Sequence, residues 1–257
     1  MIARCAPLIA RALCLWDRPP GLSWRVRRCA PLIAGALCLC GCVIETAGPT
    51  QHDFRSIELD KSELVRVDLN MGAGSLRVDG GTQKLMRADF TYNVPSWKPY
   101  VRYNSGPVRG NLSIEQPQGH QAHMGGTKYE WDVRLNREVP LDVKVHFGAG
   151  NADLNLGGLT LRSVEVDMGV GRLQMDLRGN PKRNYEVRIQ GGVGEAIIRL
   201  PAGVGVDAEA EGGIGSISAP GMRREGRRYL NDAFERAKVR VHLDVRGGVG
   251  SIRLISD

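Results

Sequence analysis

Apolar and polar residues alternate along most of the chain beyond residue 55, and six Gly-x-Gly units interrupt this alternation. Apolar residues stand five and three positions before the first glycine of each unit, and again two and four positions after its second glycine. A period of two is the pattern of a β-strand that buries one face. The middle residue of every unit is also apolar. The pattern therefore predicts six pairs of strands, each pair joined at two glycines.

The alternations on the two sides of a glycine pair are out of phase by one residue. A regular strand cannot absorb this extra residue, so a bulge or a corner must do so, and glycine adopts a positive φ there at little cost. A dinucleotide-binding loop would need a helix after the glycines, whereas a second strand pattern follows every unit. We therefore assign a structural role to the corner glycines, which are Gly72, Gly74, Gly148, Gly150, Gly169, Gly171, Gly192, Gly194, Gly213, Gly215, Gly248 and Gly250.

The central units recur at intervals of 21, 23 and 21 residues, as expected for the stacked coils of a repeat protein. The predicted fold is all-β, a single-stranded parallel β-helix (β-solenoid) with coils stacked in sequence order and a β-hairpin insertion near its N-terminal end, at about residues 90–135. The outward residues four positions before each unit alternate in charge from Asp68 to Glu209 and break the alternation at Asp244. Stacking would turn this alternation into a ladder of opposite charges.

The N-terminal segment predicts export and lipidation. Three arginines precede the apolar run 30–39, and the sequence Leu-Cys-Gly-Cys that ends at Cys42 resembles a bacterial lipobox. We predict a signal peptide at 1–41, a tether at 42–54 and a solenoid domain at 55–257, with Cys42 lipidated; an ordinary signal peptide is the alternative. Residues 4–15 and 28–39 match at 11 of 12 positions, which suggests that 1–24 reflects a start assigned too far upstream.

Charge and cysteine content narrow the function classes. The net charge of +7 lies mainly in residues 1–41, which hold six arginines and one acid, so the rest of the chain has no footprint for nucleic acid. All six cysteines fall at or before Cys42, which excludes a disulfide scaffold in the body. The predicted partners are the membrane, through the lipidated cysteine, and an unknown envelope protein or polysaccharide. Because Val43 rather than aspartate follows the cysteine, the outer membrane or periplasmic face is favoured in a Gram-negative cell.

Aromatic residues gather in the insertion, at Trp97, Tyr100, Tyr103 and Trp131. A satellite core or a cap of the solenoid is the simpler interpretation, and a platform on which a carbohydrate or a peptide stacks is the alternative. His120 and His123 have a spacing that could chelate a metal, but no Cys, Asp or Glu adjoins them. We therefore predict no metal and no cofactor.

The loop 220–236 carries Arg223, Arg224, Arg227 and Arg228. These arginines could contact phosphate head groups, although a solvated loop is the simpler interpretation. No Ser/His/Asp arrangement or nucleophile elbow stands out, so no catalytic residue is predicted.

Two further stretches resemble the bacterial toast-rack envelope family. They are FTYNVPSWKPYVRY (90–103) and the segment from LNREVPLD to GRLQMDL (135–177). Together with the later glycine units, the resemblance covers about residues 55–255. The chain is also similar to adhesin-like β-repeat domains and to the extracytoplasmic part of LiaF cell-wall stress proteins, although it lacks their transmembrane helices. The resemblance implies a β-solenoid, a role in envelope stress sensing or scaffolding, and no catalytic residues.

The predicted function is therefore a lipid-anchored, non-enzymatic envelope protein that presents a β-solenoid scaffold or adhesin-like surface. A polysaccharide-binding module that uses the aromatic cluster is the first alternative. A solenoid enzyme acting on carbohydrate is the second, and it would need two carboxylates about 5–10 Å apart in a groove.

Overall fold

A computed structural model describes residues 47–117 and 126–257. The predicted signal peptide, Cys42, the first part of the predicted tether, His120 and His123 lie outside the described residues. The described chain forms one sheet and a single 3-10 turn at Pro95–Trp97. The strands are β1 (Gln51–Ile57), β2 (Val65–Thr82), β3 (Met86–Tyr92), β4 (Tyr100–Asn104), β5 (Gly110–Glu115), β6 (Tyr129–Asn136), β7 (Leu141–Asn155), β8 (Leu161–Asp176), β9 (Tyr185–Leu200), β10 (Gly205–Ser218), β11 (Arg223–Glu225), β12 (Arg228–Leu230) and β13 (Arg240–Ser256).

The six longest strands each contain one Gly-x-Gly unit and lie parallel to one another in the order β2, β7, β8, β9, β13, β10. We call the residues before and after the glycine unit the two arms of a strand. Both arms are paired in register with the next coil, so every unit lies directly against the unit of its neighbour. This arrangement confirms the predicted all-β solenoid. No helix in the two described ranges is long and apolar enough to span a membrane.

The core confirms the shift of side-chain phase at the glycines. In β2, the inward residues Val67, Leu69 and Met71 precede the unit, and Leu76 and Val78 follow it; all five are at most 2% exposed. Burying one aliphatic side chain of this size contributes roughly 1.5–3 kcal/mol. Because each coil supplies only a few such residues, the coils must stack to form a continuous interior.

In the five units other than that of β2, stacking requires both glycines. The second glycine has φ between 126° and 148° in all six units, a region that disfavours a side chain. A Cβ atom on Gly171 would also lie closer than 3.0 Å to the carbonyl oxygen of Gly150 in the preceding coil, and a Cβ on Gly169 would meet the carbonyl oxygen of Gly148 in the same way. The corner therefore depends on bare backbone in successive coils.

The coils do not stack in sequence order, which corrects one part of the prediction. Strand β13 lies between β9 and β10, so Val249 pairs with both Val193 and Ile214. Leu243 and Leu254 of β13 are fully buried, whereas β10 contributes small inward residues such as Ala208 and Ala210. Burial favours the strand with larger apolar side chains in the interior of the stack and the small-residue strand at its end.

The charge ladder is altered by the same rearrangement. Asp244, rather than Glu209, pairs in register with Arg188, and Glu209 then stands beside Asp244. Opposite signs therefore alternate from β2 to β13 and meet a like charge only at β10. Of these outward residues, Lys144 and Glu165 form an ion pair between coils, with 3.0 Å between Nζ and Oε1.

The predicted insertion contains an antiparallel pair, β4 and β5. Strand β5 covers the first arm of β2 and strand β6 covers its second arm. Between them, the side chain of Gln116 covers the corner, because its Oε1 accepts hydrogen bonds from the backbone N–H groups of Gly72 and Ala73 at 2.7 and 3.2 Å. Strand β1 pairs with β3 and begins at Gln51, within the segment predicted as tether.

Candidate functional site

The four aromatic residues predicted as a possible platform do not share one exposed face. Trp131 is 1% exposed and packs edge-on against Phe90 at 5.5 Å between ring centroids. Tyr103 is half-buried and donates a hydrogen bond from its hydroxyl to Asp60 at 2.6 Å. Trp97 is half-buried, and only Tyr100 is largely exposed. The arrangement favours a satellite core, because stacking on a sugar needs accessible rings.

The Asp60 carboxylate and the Tyr103 hydroxyl affect each other's ionisation. The hydrogen bond from Tyr103 lowers the pKa of Asp60, and burial followed by the same hydrogen bond raises the pKa of Tyr103. Tyr103 also contacts Ser62, whose hydroxyl donates to the carbonyl of Gly106. This network fixes the β4–β5 hairpin to the segment before β2, so Tyr103 has a structural role.

Carboxylates lie opposite one another in a groove beside β3 and β6, the feature that a solenoid hydrolase would need. Asp89 and Asp132 are register partners there. Asp132 lies 3.6 Å from Arg134, and Asp89 lies 3.6 Å from His52. Both carboxylates are partly exposed and sit beside basic side chains, which is unlike the apolar pocket that keeps a general acid protonated. The geometry does not favour hydrolysis, and the residues described hold no group of three metal-ligating side chains.

The arginine loop is mostly engaged in ion pairs. Strands β11 and β12 run through it, and β12 pairs with β10 at the end of the stack. Arg224 instead stacks over the ring of Tyr229 at 5.7 Å. The ion pairs of this loop join Arg223 to Glu225 and Glu235, Arg227 to Glu211, and Arg228 to Asp207. Contact with phosphate head groups through these side chains would first require breaking those pairs.

A row of exposed apolar side chains runs along the corners of the stack, and we call it the corner ridge. Its members are the middle residues of the glycine units, which in spatial order are Ala73, Ala149, Val170, Val193, Val249 and Ile214. The exposed fraction is 54% at Val170, 47% at Val193, 46% at Val249 and 74% at Ile214. Neighbouring members are one strand spacing apart, about 4.8 Å. Glycine on both sides leaves these side chains without lateral cover.

An apolar cleft opens beside the wider end of the ridge, at the corners of β9, β13 and β10. Met71, Phe147 and Met168 fill the position before the first glycine in β2, β7 and β8, whereas Gly191, Gly247 and Gly212 occupy it in the other three coils. The missing side chains leave a small cleft of about 30 Å³. Its lining is chiefly apolar and includes Met168, Ile189, Val245 and Ile252.

The chain matches the model of the N-terminal domain of toast_rack, DUF2154, over residues 46–199. That match covers more than half of the sequence. The chain belongs to the toast-rack family. The resemblance that the sequence motifs indicated is therefore confirmed. No curated protein sequence matches the chain.

The chain is similar to several solved structures, to different degrees. A "putative cell adhesion protein" from Clostridium sporogenes is 32% identical, with a TM-score of 0.79 over 81% of this chain and 100% of that chain. A "putative adhesin" from Bacteroides fragilis is 12% identical, with a TM-score of 0.34 over 81% of this chain and 99% of that chain. A "putative lipid binding protein" from Parabacteroides distasonis is 8% identical, with a TM-score of 0.27 over 81% and 98%.

The toast-rack model ends at residue 199, within the last residues of β9. Val249 and Ile214, two members of the corner ridge, lie beyond it. The sequence showed that the middle residues of the glycine units are apolar, but it did not show that they are exposed. An apolar residue flanked by two glycines in each of six phase-shifting corners is the signal that could have revealed the ridge.

Proposed function

We propose that this toast-rack protein is a lipid-anchored, non-enzymatic protein of the cell envelope that uses its solenoid as an adhesin-like contact surface. The corner ridge carries the proposal. The 32% identical relative, described as a cell adhesion protein, supports it. The lipobox-like sequence ending at Cys42 supports an anchor at the membrane, and hence an envelope location.

The ridge supports a binding role because folding does not require its apolar character. The corner needs the two glycines, whereas the side chain between them points to solvent. Serine or threonine would serve there equally well in an isolated monomer. Contiguous exposed apolar residues on a soluble domain typically mark a contact site. The size of the exposed side chains increases toward β10, so we place the contact at that end.

The end of the stack offers a second feature that fits a protein partner. Strand β12 covers β10 only from Asp207 to Glu209, and no other described strand pairs with the outer side of residues 210–218. An extended segment of a partner can add to such an edge through backbone hydrogen bonds while its apolar side chains reach the ridge and cleft. We propose this mode of contact for the partner.

The proposed contact is tested by site-specific photo-crosslinking in the producing cells. A photoreactive residue in place of Val193 should give covalent adducts, whereas one in place of Val108, which is 68% exposed in the β4–β5 loop, should give few. Replacing Val170, Ile214 and Val249 by threonine keeps β-branched shape but removes apolar contact. These substitutions should reduce the adducts at 193 without changing the thermal midpoint. Equal adducts at 193 and 108 would count against the ridge.

The anchor is tested independently of the ridge. In the producing cells, Cys42→Ser should shift the protein from the membrane pellet to the soluble fraction, because acyl chains contribute about 0.8 kcal/mol per buried CH₂ to membrane binding. Globomycin should cause the unprocessed precursor to accumulate. A Cys42→Ser chain that still sediments with membranes would contradict lipid anchoring and leave the ridge experiment unaffected.

A further inference from the structure

A groove lies where the chain enters strands β8, β9 and β13, on a different part of the solenoid from the corner ridge. We call it the entrance groove; its volume is about 510 Å³. The segment between β12 and β13 closes one side of it. Its lining is unusually rich in cationic side chains and includes Arg162, Asn184, Arg228, Phe234, Arg240 and His242.

Two carboxylates also line this groove, and both are compensated by nearby cations. Asp207 accepts two hydrogen bonds from Arg228, at 2.9 Å from Nε and 2.7 Å from Nη2. His242 lies 3.5 Å from the same carboxylate. Burial would raise the pKa of Asp207, but Arg228 and then His242 outweigh it, so the pKa is lowered and the carboxylate stays ionised. Glu186 accepts a hydrogen bond from Arg188 at 2.6 Å.

Arg162 and Arg240 have no carboxylate within ion-pair distance in the described part of the chain. Arg240 is held in place by Phe234, because its guanidinium stacks over that ring at 4.7 Å. Arg162 is the extra residue of a β-bulge, since Leu141 pairs with Leu161 and Asp142 with Ser163. A bulge redirects a side chain, and bulges are frequent beside functional sites. Both arginines are exposed residues.

Strand β9 separates these two arginines. Arg162 is on β8 and Arg240 is on β13, so their backbones are about two strand spacings, roughly 10 Å, apart. Further exposed cations precede the same strands, namely Lys182, Arg183, Arg236 and Lys238. None of the four lies within ion-pair distance of a carboxylate among the described residues. These cations therefore lie close in sequence to the ends of β9 and β13 that line the groove.

We infer that the entrance groove binds the phosphate groups of an extended polyanion, such as a phosphorylated glycan chain. A guanidinium presents a planar fork of donors that matches phosphate, and charge-assisted bonds of this kind are strong. The concave shape admits a chain, whereas a flat bilayer surface would reach the rim more readily than the interior. The inference uses neither the ridge nor the lipid anchor, so it can fail or succeed independently of the proposed function.

The inference is tested by titrating the full chain, purified in detergent, with inorganic polyphosphate in a calorimeter. Arg162→Gln combined with Arg240→Gln should weaken binding by at least about tenfold, since two charge-assisted contacts are lost. Arg162→Lys with Arg240→Lys keeps the charge but removes the forks and should give an intermediate loss. The control is Arg102→Gln with Arg109→Gln, which removes the same charge from the exposed β4–β5 hairpin. It should change binding by less than about twofold, because salt screens distant charges.

Further arms of the experiment separate the possible sources of phosphate. Orthophosphate should bind more weakly than polyphosphate, because it engages one guanidinium at a time. Micelles that contain phosphatidylglycerol should compete poorly with polyphosphate. Strong competition by these micelles, equal loss in the control variant, or unchanged binding by Arg162→Gln with Arg240→Gln would each overturn the inference. An unchanged thermal midpoint for every variant excludes unfolding as the cause of lost binding.

Discussion

The two halves of the solenoid differ at one position of the repeat. The coils on β2, β7 and β8, here the filled half, place Met71, Phe147 or Met168 beneath the corner, and these side chains are at most 8% exposed. The coils on β9, β13 and β10, the hollow half, have glycine there and an apolar cleft instead. Both halves have the same corner geometry. The corner therefore forms whether or not a large side chain packs beneath it.

The hollow half also carries most of both candidate contact surfaces. Three of the four larger members of the corner ridge belong to β9, β13 and β10, as does most of the entrance groove, whereas Val170 and Arg162 lie on β8. Functional sites commonly sacrifice some packing for access to a partner. The filled half is the better packed of the two, and the hollow half carries most of the surface for which we propose contacts.

The largest expected effect is a loss of stability when a corner glycine is replaced, whatever side chain packs beneath the corner. Gly171→Ala should reduce the free energy of unfolding by at least about 4 kcal/mol, because the new Cβ meets both an unfavourable φ of 140° and a backbone carbonyl that cannot rotate away. Urea denaturation measures the loss. Gly203→Ala is the control, since a Cβ there meets no atom within 4 Å. A loss below about 1 kcal/mol for Gly171→Ala would contradict the stacking argument.

The next effect tests whether the large side chains beneath the corners stabilise the filled half. Phe147→Ala should cost about 3–5 kcal/mol, because Phe147 is 2% exposed and its removal would leave a cavity. Ile252→Ala, in the hollow half, should cost nearer 2 kcal/mol, since it borders the open cleft. Urea denaturation of both variants provides the comparison. Equal losses would show that the two halves pack equally well.

A smaller change, an increase in the free energy of unfolding, is expected when a methyl group fills part of the cleft. Gly191→Ala should raise the free energy of unfolding by about 0.4–1 kcal/mol, because the new methyl meets Met168 and Arg246 only at ordinary contact distances. It should also reduce photo-crosslinking at residue 193 if a partner's side chain enters the cleft. Gly203→Ala should give a similar gain in stability and leave crosslinking unchanged. Lower stability for Gly191→Ala would show that the cleft is needed for folding.

The sequence was sufficient for the local features of the fold, because the period of two and the phase shift at each unit depend on neighbouring residues. It was not sufficient for the position of β13, which depends on burial between distant segments. For the same reason, the role of Asn231 was not visible: its buried side chain binds the backbone of Pro201, Val204 and Val206 at the entry to β10.

The candidate sites were likewise predictable only where they depend on residues that are close in sequence. The apolar residues of the ridge could be read from the repeat, although their exposure could not. The entrance groove could not be predicted, because Arg240 lies near Arg162 only when β13 neighbours β9. Stacking in sequence order would have placed Arg240 at the end of the molecule.

The smallest expected effect comes from removing one ion pair in each half of the solenoid. Lys144 forms an ion pair between coils with Glu165, whereas Arg188 pairs with Glu186 in its own strand. Lys144→Gln should cost about 0.2–1 kcal/mol in urea denaturation at low salt and less in 1 M NaCl, because these side chains are partly exposed and screened. Lys61→Gln, at an exposed site, should cost nothing measurable. If Arg188→Gln costs as much as Lys144→Gln, the contact between coils contributes no more than a pair within one strand, and the register then depends on glycine corners and apolar burial alone.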